Sequence, residues 1–173
     1  MKDKKLAQNI IKMHRHDQRV RNIAITDPYN KKKIKDVYQM DKRHYPILKN
    51  IIKKYGLPTF DLVGKQASNA FWNLIQHADY HKEFQKKVLE LMKKALKEGQ
   101  VYAKNVAFLT DRVRDNYGQK IIFGTQFLFK DKKIIQKKVL YPKKLEQIRK
   151  EYGLEPTKVT LKKHYKKYKA SLK

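Results

Sequence analysis

The sequence contains no cysteine, so its 173 residues form no disulfide bond and no thiolate metal site. Acidic side chains are few: 16 Asp and Glu stand against 43 Lys and Arg, for a formal net charge of +27 at pH 7. No apolar run approaches the roughly 20 residues of a membrane-spanning helix. The first residues, Met1 to Lys5, lack the apolar core of a signal peptide. We therefore expect a cytoplasmic protein without a transmembrane segment, with a secreted form that has lost its signal as the alternative.

Arginine is also scarce, because lysine supplies most of the basic residues. Lysine is a mobile point charge, whereas arginine offers a planar fork for bidentate contacts with phosphates or bases. The composition therefore favours nonspecific attraction to a polyanion: nucleic acid, an anionic membrane surface or an acidic substrate. A lysine-rich genome with a solvated surface is the alternative, although it does not explain the shortage of acidic residues.

Apolar residues recur every three or four positions over most of the chain, which is the period of amphipathic helices. This period predicts helices over residues 3–24, up to Tyr55, over 64–78, and around 84–95 and 106–113. Pro142 is expected to open a further helix with Leu145, Ile148 and Tyr152 on one face. The tail from Thr157 again shows helical spacing.

Residues 121–129 alternate with period two, which predicts a strand that turns at 130–133 and returns from Ile134. Gly124 inside that strand indicates a bulge or the close approach of another group. The predicted fold class is mainly α, with about six to seven helices and one small antiparallel β-hairpin. We expect one domain over 1–173, made of a helical body (1–118), the hairpin (119–140) and basic C-terminal helices (142–173).

Polar side chains occupy some positions where the helical pattern calls for apolar ones. Asp17 continues the stripe of Leu6 and Ile10, and His77 continues that of Leu74. Burying such groups is costly unless they have partners, so the pattern predicts a polar pocket. Arg21 lies four residues after Asp17, which makes the two neighbours on a helix.

His77 is a candidate general acid or base near neutral pH, and Asp79 is expected to orient it. Two alternatives remain open. Asp79 could cap the next helix, and His81, four residues after His77, could share a metal ion with it. Farther along, Asp111 and Arg112 are adjacent on a helix and must find different partners or lie in solvent.

Seven segments of the chain form a longer pattern. They are Asp17-Gln18-Arg19-Val20-Arg21, Gly56-Leu57-Pro58, Val63-Gly64, Ile75-Gln76-His77-Ala78-Asp79, Phe84-Gln85, Leu109-Thr110-Asp111-Arg112 and Ile121-Ile122-Phe123-Gly124-Thr125-Gln126. In this order they resemble a bacterial family with a domain of unknown function, over nearly the whole chain. That family's pattern includes Asp-Gln-x-x-Arg, Val-Gln-His-Ala-Asp, Leu-x-Asp-Arg and Gln-x-Tyr-Gly-Thr-Gln. The resemblance implies a functional pocket built from these polar groups, and it supplies no activity. Ile121 and Phe123 replace the family's Gln and Tyr, which removes a phenol hydroxyl.

The leading hypothesis is a cofactor-independent hydrolase or group transferase acting on an anionic or polyanion-linked substrate, with no metal. Arg21 and Arg112 would hold the anion or a developing negative charge. The predicted catalytic residues are His77, Asp17, Asp79 and Asp111. The predicted substrate-binding residues are Gln18, Arg21, Gln85, Arg112, Thr125 and Gln126. Thr125 and Gln126 could instead cover a solvated strand face.

Two other functions remain open. A nucleic-acid-binding protein is the first, because lysines and tyrosines interleave in the tail and could grip phosphates and stack bases. A tail helix that packs its tyrosines on the domain would look the same in sequence. The candidate nucleic-acid contacts are Lys162, Lys163, Tyr165, Lys166, Lys167, Tyr168 and Lys169. The second is a partner-binding protein in which the polar set only stabilises the fold.

Overall fold

The computed structural model describes residues 1–25, 30–130 and 133–171, without the side chains of 129–130 and 167–171. Its helices are α1 (Lys4–Ile25), α2 (Lys31–Tyr55), α3 (Phe60–Gln76), α4 (Lys82–Lys97), α5 (Ala103–Asn116), α6 (Leu145–Glu151) and α7 (Thr157–Ser171). Its strands are β1 (Phe127–Lys130) and β2 (Lys133–Gln136), which pair antiparallel. The predicted class, mainly α with one small hairpin, is confirmed. The hairpin turn residues Asp131 and Lys132, and the predicted break at 27–29, lie outside the described residues.

The chain forms two units, Met1–Tyr102 and Ala103–Lys173. The first contains α1 to α4, and the second contains the remaining helices and the sheet. The expectation of one domain with a helical body ending at residue 118 stays a prediction. Within the described residues, none of the helices combines the length and the apolar character needed to cross a membrane.

The first unit is built on α1, which packs against both α3 and α2. The buried face of α1 carries Leu6, Ala7, Ile10 and then Asp17, so the apolar stripe does continue into a carboxylate. Asn30 caps α2, because its side chain accepts from the backbone N–H groups of the first turn. The predicted stop of α2 at Gly56 is also observed.

The third helix begins at Phe60, earlier than the predicted start at Gly64. Thr59 is its N-cap, and its side chain accepts from the backbone N–H of Leu62. Gly64 interrupts the helix with φ 80° and ψ 162°, a conformation that favours glycine. The backbone N–H groups of Lys2 and Asp3 donate to the Leu62 carbonyl at 2.9 and 2.8 Å. Gly64 therefore marks a kink within α3 and not the beginning of this helix.

In the second unit, β1 begins only at Phe127, so the prediction of a strand from residue 121 was wrong. Ile121 makes an isolated parallel bridge with Val139, and residues 122–126 form an irregular loop. Gly124 lies in this loop at φ 64°. A Cβ there would lie 2.4 Å from Nε2 of Gln136, so the expected close approach of another group to Gly124 is confirmed.

The sixth helix also differs from its prediction. Pro142 opens a short 3-10 helix, Pro142–Lys144, and α6 follows from Leu145. The buried residues of α6 are Leu145 and Arg149. Ile148 and Tyr152, which the spacing had placed on the buried face, are only partly buried. A buried arginine thus takes the place of an apolar residue.

Candidate functional site

The carboxylate of Asp17 is the centre of a polar group in the first unit. Its side chain has 0% exposure. Oδ1 accepts from Nε of Arg21 at 3.0 Å and lies 3.1 Å from Nδ1 of His77, while Oδ2 accepts from Nε2 of Gln18 at 2.9 Å. Helix α1 supplies three of these residues, with Arg21 one turn after Asp17, and the C-cap of α3 supplies His77. The structure therefore joins four of the residues that the sequence had singled out.

Electrostatics keep this buried carboxylate ionised. Burial alone would raise the pKa of Asp17, but the hydrogen bond and charge of His77, the Arg21 guanidinium and the Gln18 amide together lower it to about 2. Arg21 also contacts Asp41 on α2 through Nη2. Burial raises the pKa of Asp41 to about 6, against the opposing effect of Arg21. Arg21 thus lies between two carboxylates, a position that sequence reasoning did not find because Asp41 falls on another helix.

His77 is the C-cap residue of α3, and its backbone N–H donates to the Leu74 carbonyl at 3.2 Å. Its side chain is 19% exposed. The contact with Asp17 places the Nδ1 proton toward the carboxylate, so that Nε2 is the ring atom able to accept or donate a proton. A carboxylate behind one imidazole nitrogen is the arrangement by which a histidine is oriented for acid–base chemistry.

An open groove of about 620 Å³ lies along α1. Gln18 lines this groove and also donates to the carboxylate of Asp17. The other lining residues are His14, Arg15, Arg19, Asn22 and Ile23. Asn73 Oδ1 fixes two of the polar side chains, with Nε2 of His14 at 3.2 Å and Nε2 of Gln18 at 3.0 Å. Arg15 and Arg19 are exposed and four residues apart, so both guanidinium groups lie on one face of the helix.

Gln85 and Asp79 form a second cluster in this unit. Gln85 is fully buried, and its Nε2 donates to the carbonyls of Ile75 and Gln76 at 3.0 and 3.2 Å and to Oδ1 of Asp79 at 3.2 Å. It therefore holds the end of α3, just before His77. The alternative that Asp79 caps the next helix is wrong, since His81 is the N-cap of α4.

His81 stacks on Tyr45 with ring centroids 3.3 Å apart and an interplanar angle of 7°. Burial, and then the charge of Lys49, lower the pKa of His81. In the part of the chain that the structure describes, no three His, Asp or Glu side chains are grouped so that they could hold a metal ion.

Asp111 is the centre of a different polar group, in the second unit. It is fully buried on α5, and its carboxylate accepts from the backbone N–H groups of Ile122 (2.7 Å), Phe123 (3.0 Å) and Thr125 (2.8 Å). It also accepts from the Thr125 hydroxyl at 2.9 Å. These donors fold residues 122–125 around the carboxylate, which explains why this segment is a loop.

Arg112 and Gln126 are also brought together, because Nη1 of Arg112 donates to Oε1 of Gln126 at 3.1 Å. Nε2 of Gln126 lies 3.3 Å from the Thr125 hydroxyl. Both Thr125 and Gln126 are buried, so the alternative of a solvated strand face is wrong. The predicted site residues thus form two clusters in the first unit and one in the second, and their assignment to a single pocket stays a prediction.

Arg149 is a buried polar residue that sequence reasoning missed. Its guanidinium donates to the carbonyls of Phe123 at 2.6 Å and Glu155 at 2.8 Å, and to the Thr160 hydroxyl at 2.8 Å. Burial lowers its pKa, against the opposing charges of Glu146, Asp111 and Glu155. The available signal was its position four residues after Leu145, on the buried face of α6.

The described lysines of the candidate nucleic-acid surface lie exposed on α7. They are Lys162, Lys163 and Lys166. Nζ of Lys163 pairs with Oε1 of Glu155 at 2.5 Å, and the side chain of Tyr165 is 44% exposed. The side chains of Lys167, Tyr168 and Lys169 lie outside the described residues.

No match was found among curated proteins or among solved structures. One family model, described as a family of unknown function (DUF6624), matches residues 4–173. Because this match extends from α1 to the end of the chain, the protein belongs to that family.

Proposed function

We propose that this protein is a cofactor-independent enzyme, of hydrolase or group-transferase type, in which His77 is the general acid–base group. The observation that carries the proposal is the 3.1 Å contact between Nδ1 of His77 and the fully buried carboxylate of Asp17. Asp17, whose pKa is about 2, holds a negative charge behind the ring, so that it accepts from Nδ1 and leaves Nε2 for proton transfer. Asp17 is a positioning residue in this scheme, because it acts through His77.

The substrate in this proposal is anionic. Arg21 is a poor candidate for the anion-binding group, because it is already placed between Asp17 and Asp41. Arg15 and Arg19 replace it: they are exposed along the groove, and guanidinium groups bind phosphate or carboxylate in a bidentate way. Three of the seven arginines of this lysine-rich chain lie between residues 15 and 21, which supports a specific use for them.

A purely structural role is the competing explanation for the Asp17–His77 contact, since it also ties α1 to α3. The variant His77→Asn separates the two roles, because its amide nitrogen can still donate to Asp17 but cannot shuttle a proton. The assay would use three classes of anionic substrate with the purified protein: p-nitrophenyl monoesters of dicarboxylic acids, phosphomonoesters and phosphodiesters. We expect His77→Asn to lower kcat/KM by about 10²–10⁴-fold on the class that the wild type turns over.

The matched control is His16→Gln, which changes an exposed histidine on the same helix as Asp17. It should retain wild-type activity. Urea unfolding of both variants reports whether the fold is intact. A loss of unfolding free energy in His77→Asn without a selective loss of activity would identify a structural histidine, and no turnover of any of the three classes by the wild type would contradict the proposal.

A second candidate function is nucleic-acid binding through α7. The observation that favours it is the exposure of Tyr165 beside Lys162 and Lys166, since all three fall on one face at helical spacing. An aromatic ring between lysines can stack on a base while the lysines contact phosphates. We also propose that the family is bacterial, that the protein is cytoplasmic, and that a polyanion is its substrate or partner.

A further inference from the structure

A second cavity lies within the unit Ala103–Lys173, and no part of the proposed reaction uses it. Its volume is about 480 Å³, within the range of small-ligand pockets. Three elements line it: the start of α5 through Lys104 and Phe108, the segment after α6 through Leu154 and Glu155, and α7 through Thr160 and Lys163. Arg149 forms part of its wall.

The buried guanidinium of Arg149 gives this cavity a positive charge. Arg149 is 2% exposed, yet every acceptor it contacts is a neutral oxygen, from the backbone of Phe123, Gly124 and Glu155 or the hydroxyl of Thr160. Glu155 offers only its carbonyl to Arg149, because its carboxylate is paired with Lys163. Three carboxylates, Glu146, Asp111 and Glu155, offset this charge without accepting a hydrogen bond from Arg149. An anion in the cavity would add to their effect, because the interior screens charge poorly.

The rest of the lining defines the ligand further. Lys104 and Lys163 add two positive charges, against the single negative charge of Glu155. Phe108 and Leu154 contribute partly buried apolar surface. Such a wall suits a molecule with an anionic head and an apolar body. All five N–H groups of Arg149 already have acceptors, so Lys104 is the group that would contact the anion directly.

We propose that the cavity between α5, the end of α6 and α7 binds a small organic anion, with a phosphate or carboxylate head toward Lys104 and Arg149 and an apolar body against Phe108 and Leu154. The same bound anion would stabilise the loop at 122–125, because Arg149 also donates to the carbonyls of Phe123 and Gly124. The proposal is independent of His77 and of the groove on α1.

The test is a titration of the ¹⁵N-labelled full chain with phenyl phosphate, followed by the amide signals of Gly153 and Leu154, which line the cavity. Inorganic phosphate and benzyl alcohol serve as the head-only and body-only probes. We expect saturable shifts of these amides with phenyl phosphate, at a lower concentration than with either separate probe. Lys104→Gln should weaken phenyl phosphate binding about three- to fivefold at low salt. Phe108→Ala should weaken the binding of phenyl phosphate and leave the binding of inorganic phosphate unchanged.

Two matched controls make the result specific. Lys158→Gln removes an exposed lysine of α7 outside the cavity, and Arg19→Gln removes a guanidinium of the groove on α1. Both should bind phenyl phosphate at these amides as the wild type does. The proposal is overturned if the amides of Gly153 and Leu154 do not shift up to about 10 mM phenyl phosphate, if only groove residues such as Asn22 respond, or if Lys104→Gln binds with wild-type affinity.

Discussion

Two carboxylates that share one arginine have opposite pKa displacements. Asp17 receives donors from His77, Arg21 and Gln18, and these outweigh the cost of burial, so that its pKa falls to about 2. In the described structure, Arg21 is the one hydrogen-bond partner of Asp41. Burial raises the pKa of Asp41 by more than Arg21 lowers it, so that the pKa rises to about 6. The number of donors therefore decides the direction in which the pKa of each carboxylate moves.

This difference predicts the pH dependence of stability. Because the pKa of Asp17 is depressed from 3.8 to about 2, its contribution is present above the ordinary pKa and is lost as pH falls through the folded value. The loss amounts to about 2 kcal/mol. Asp17→Asn should flatten the unfolding free energy between about pH 4 and pH 2, measured by urea denaturation.

Asp41→Asn is the matched comparison, with the opposite sign. The raised pKa of Asp41 contributes stability that is full below 3.8 and is lost as pH rises through about 6. The substitution should therefore flatten the profile between about pH 4 and pH 6 and leave the acid limb in place. Profiles for the two variants that simply run parallel to the wild type would contradict both assignments.

The sequence identified Asp17, Arg21 and His77 because each breaks or flanks an apolar stripe, and a stripe can be read from local spacing alone. Asp41 and Arg149 were not found for the same physical reason. Each contacts a residue from a distant part of the chain, Arg21 for Asp41 and the Phe123 carbonyl for Arg149. Charged residues on helices are usually solvated, so the position of Arg149 four residues after Leu145 was too weak a signal to place it inside.

At the scale of elements, the loop at 122–126 shows why an alternating sequence did not form the predicted strand. Ile121, Phe123 and Thr125 are buried, but Gly124 and Gln126 are buried too, so burial does not alternate as the pattern predicts. The backbone N–H groups of Phe123 and Thr125 donate to the Asp111 carboxylate and not to a neighbouring strand. A period-two pattern in the sequence becomes a strand only where a neighbouring strand supplies backbone partners. A buried carboxylate on α5 supplied those partners instead.

Gly124 provides a stability test of this loop. Gln136 on β2 donates to the Gly124 carbonyl at 3.0 Å, and a Cβ at residue 124 would lie 2.4 Å from the same Nε2 atom. The Gln136 side chain could move aside, but its hydrogen bond would be lost. Gly124→Ala should therefore cost the strain of a positive φ plus about 1 kcal/mol for the bond.

The matched control is Gly118→Ala, because Gly118 has a similar φ of 69° and nothing within 4 Å of an added Cβ. The difference between the two variants in unfolding free energy isolates the contact with Gln136. Equal destabilisation of the two would mean that Gln136 does not hold the loop in solution.

At the scale of the whole molecule, the net charge of +27 is large enough to attract any polyanion without a specific surface. Nonspecific attraction and binding through α7 differ in one measurable respect. If charge alone matters, removing two lysines from any exposed helix should have the same effect. If α7 is the contact, removing its lysines should have the larger effect, because each lost phosphate contact removes about one unit from the slope of log affinity against log salt.

The decisive comparison is therefore between two double variants of equal charge. One is Lys162→Gln with Lys166→Gln on α7, and the other is Lys31→Gln with Lys35→Gln on α2; all four lysines are exposed. Binding to single-stranded RNA and DNA would be measured by fluorescence anisotropy over a range of salt concentrations.

We expect the α7 variant to lose up to about two units of salt slope. Its affinity should fall for all sequences alike, since lysine contacts phosphates and does not read bases. The α2 variant should keep the parent slope. Equal slopes in the two variants would assign the binding to net charge, and no binding by the parent at low salt would leave the lysines of α7 as a solvated surface.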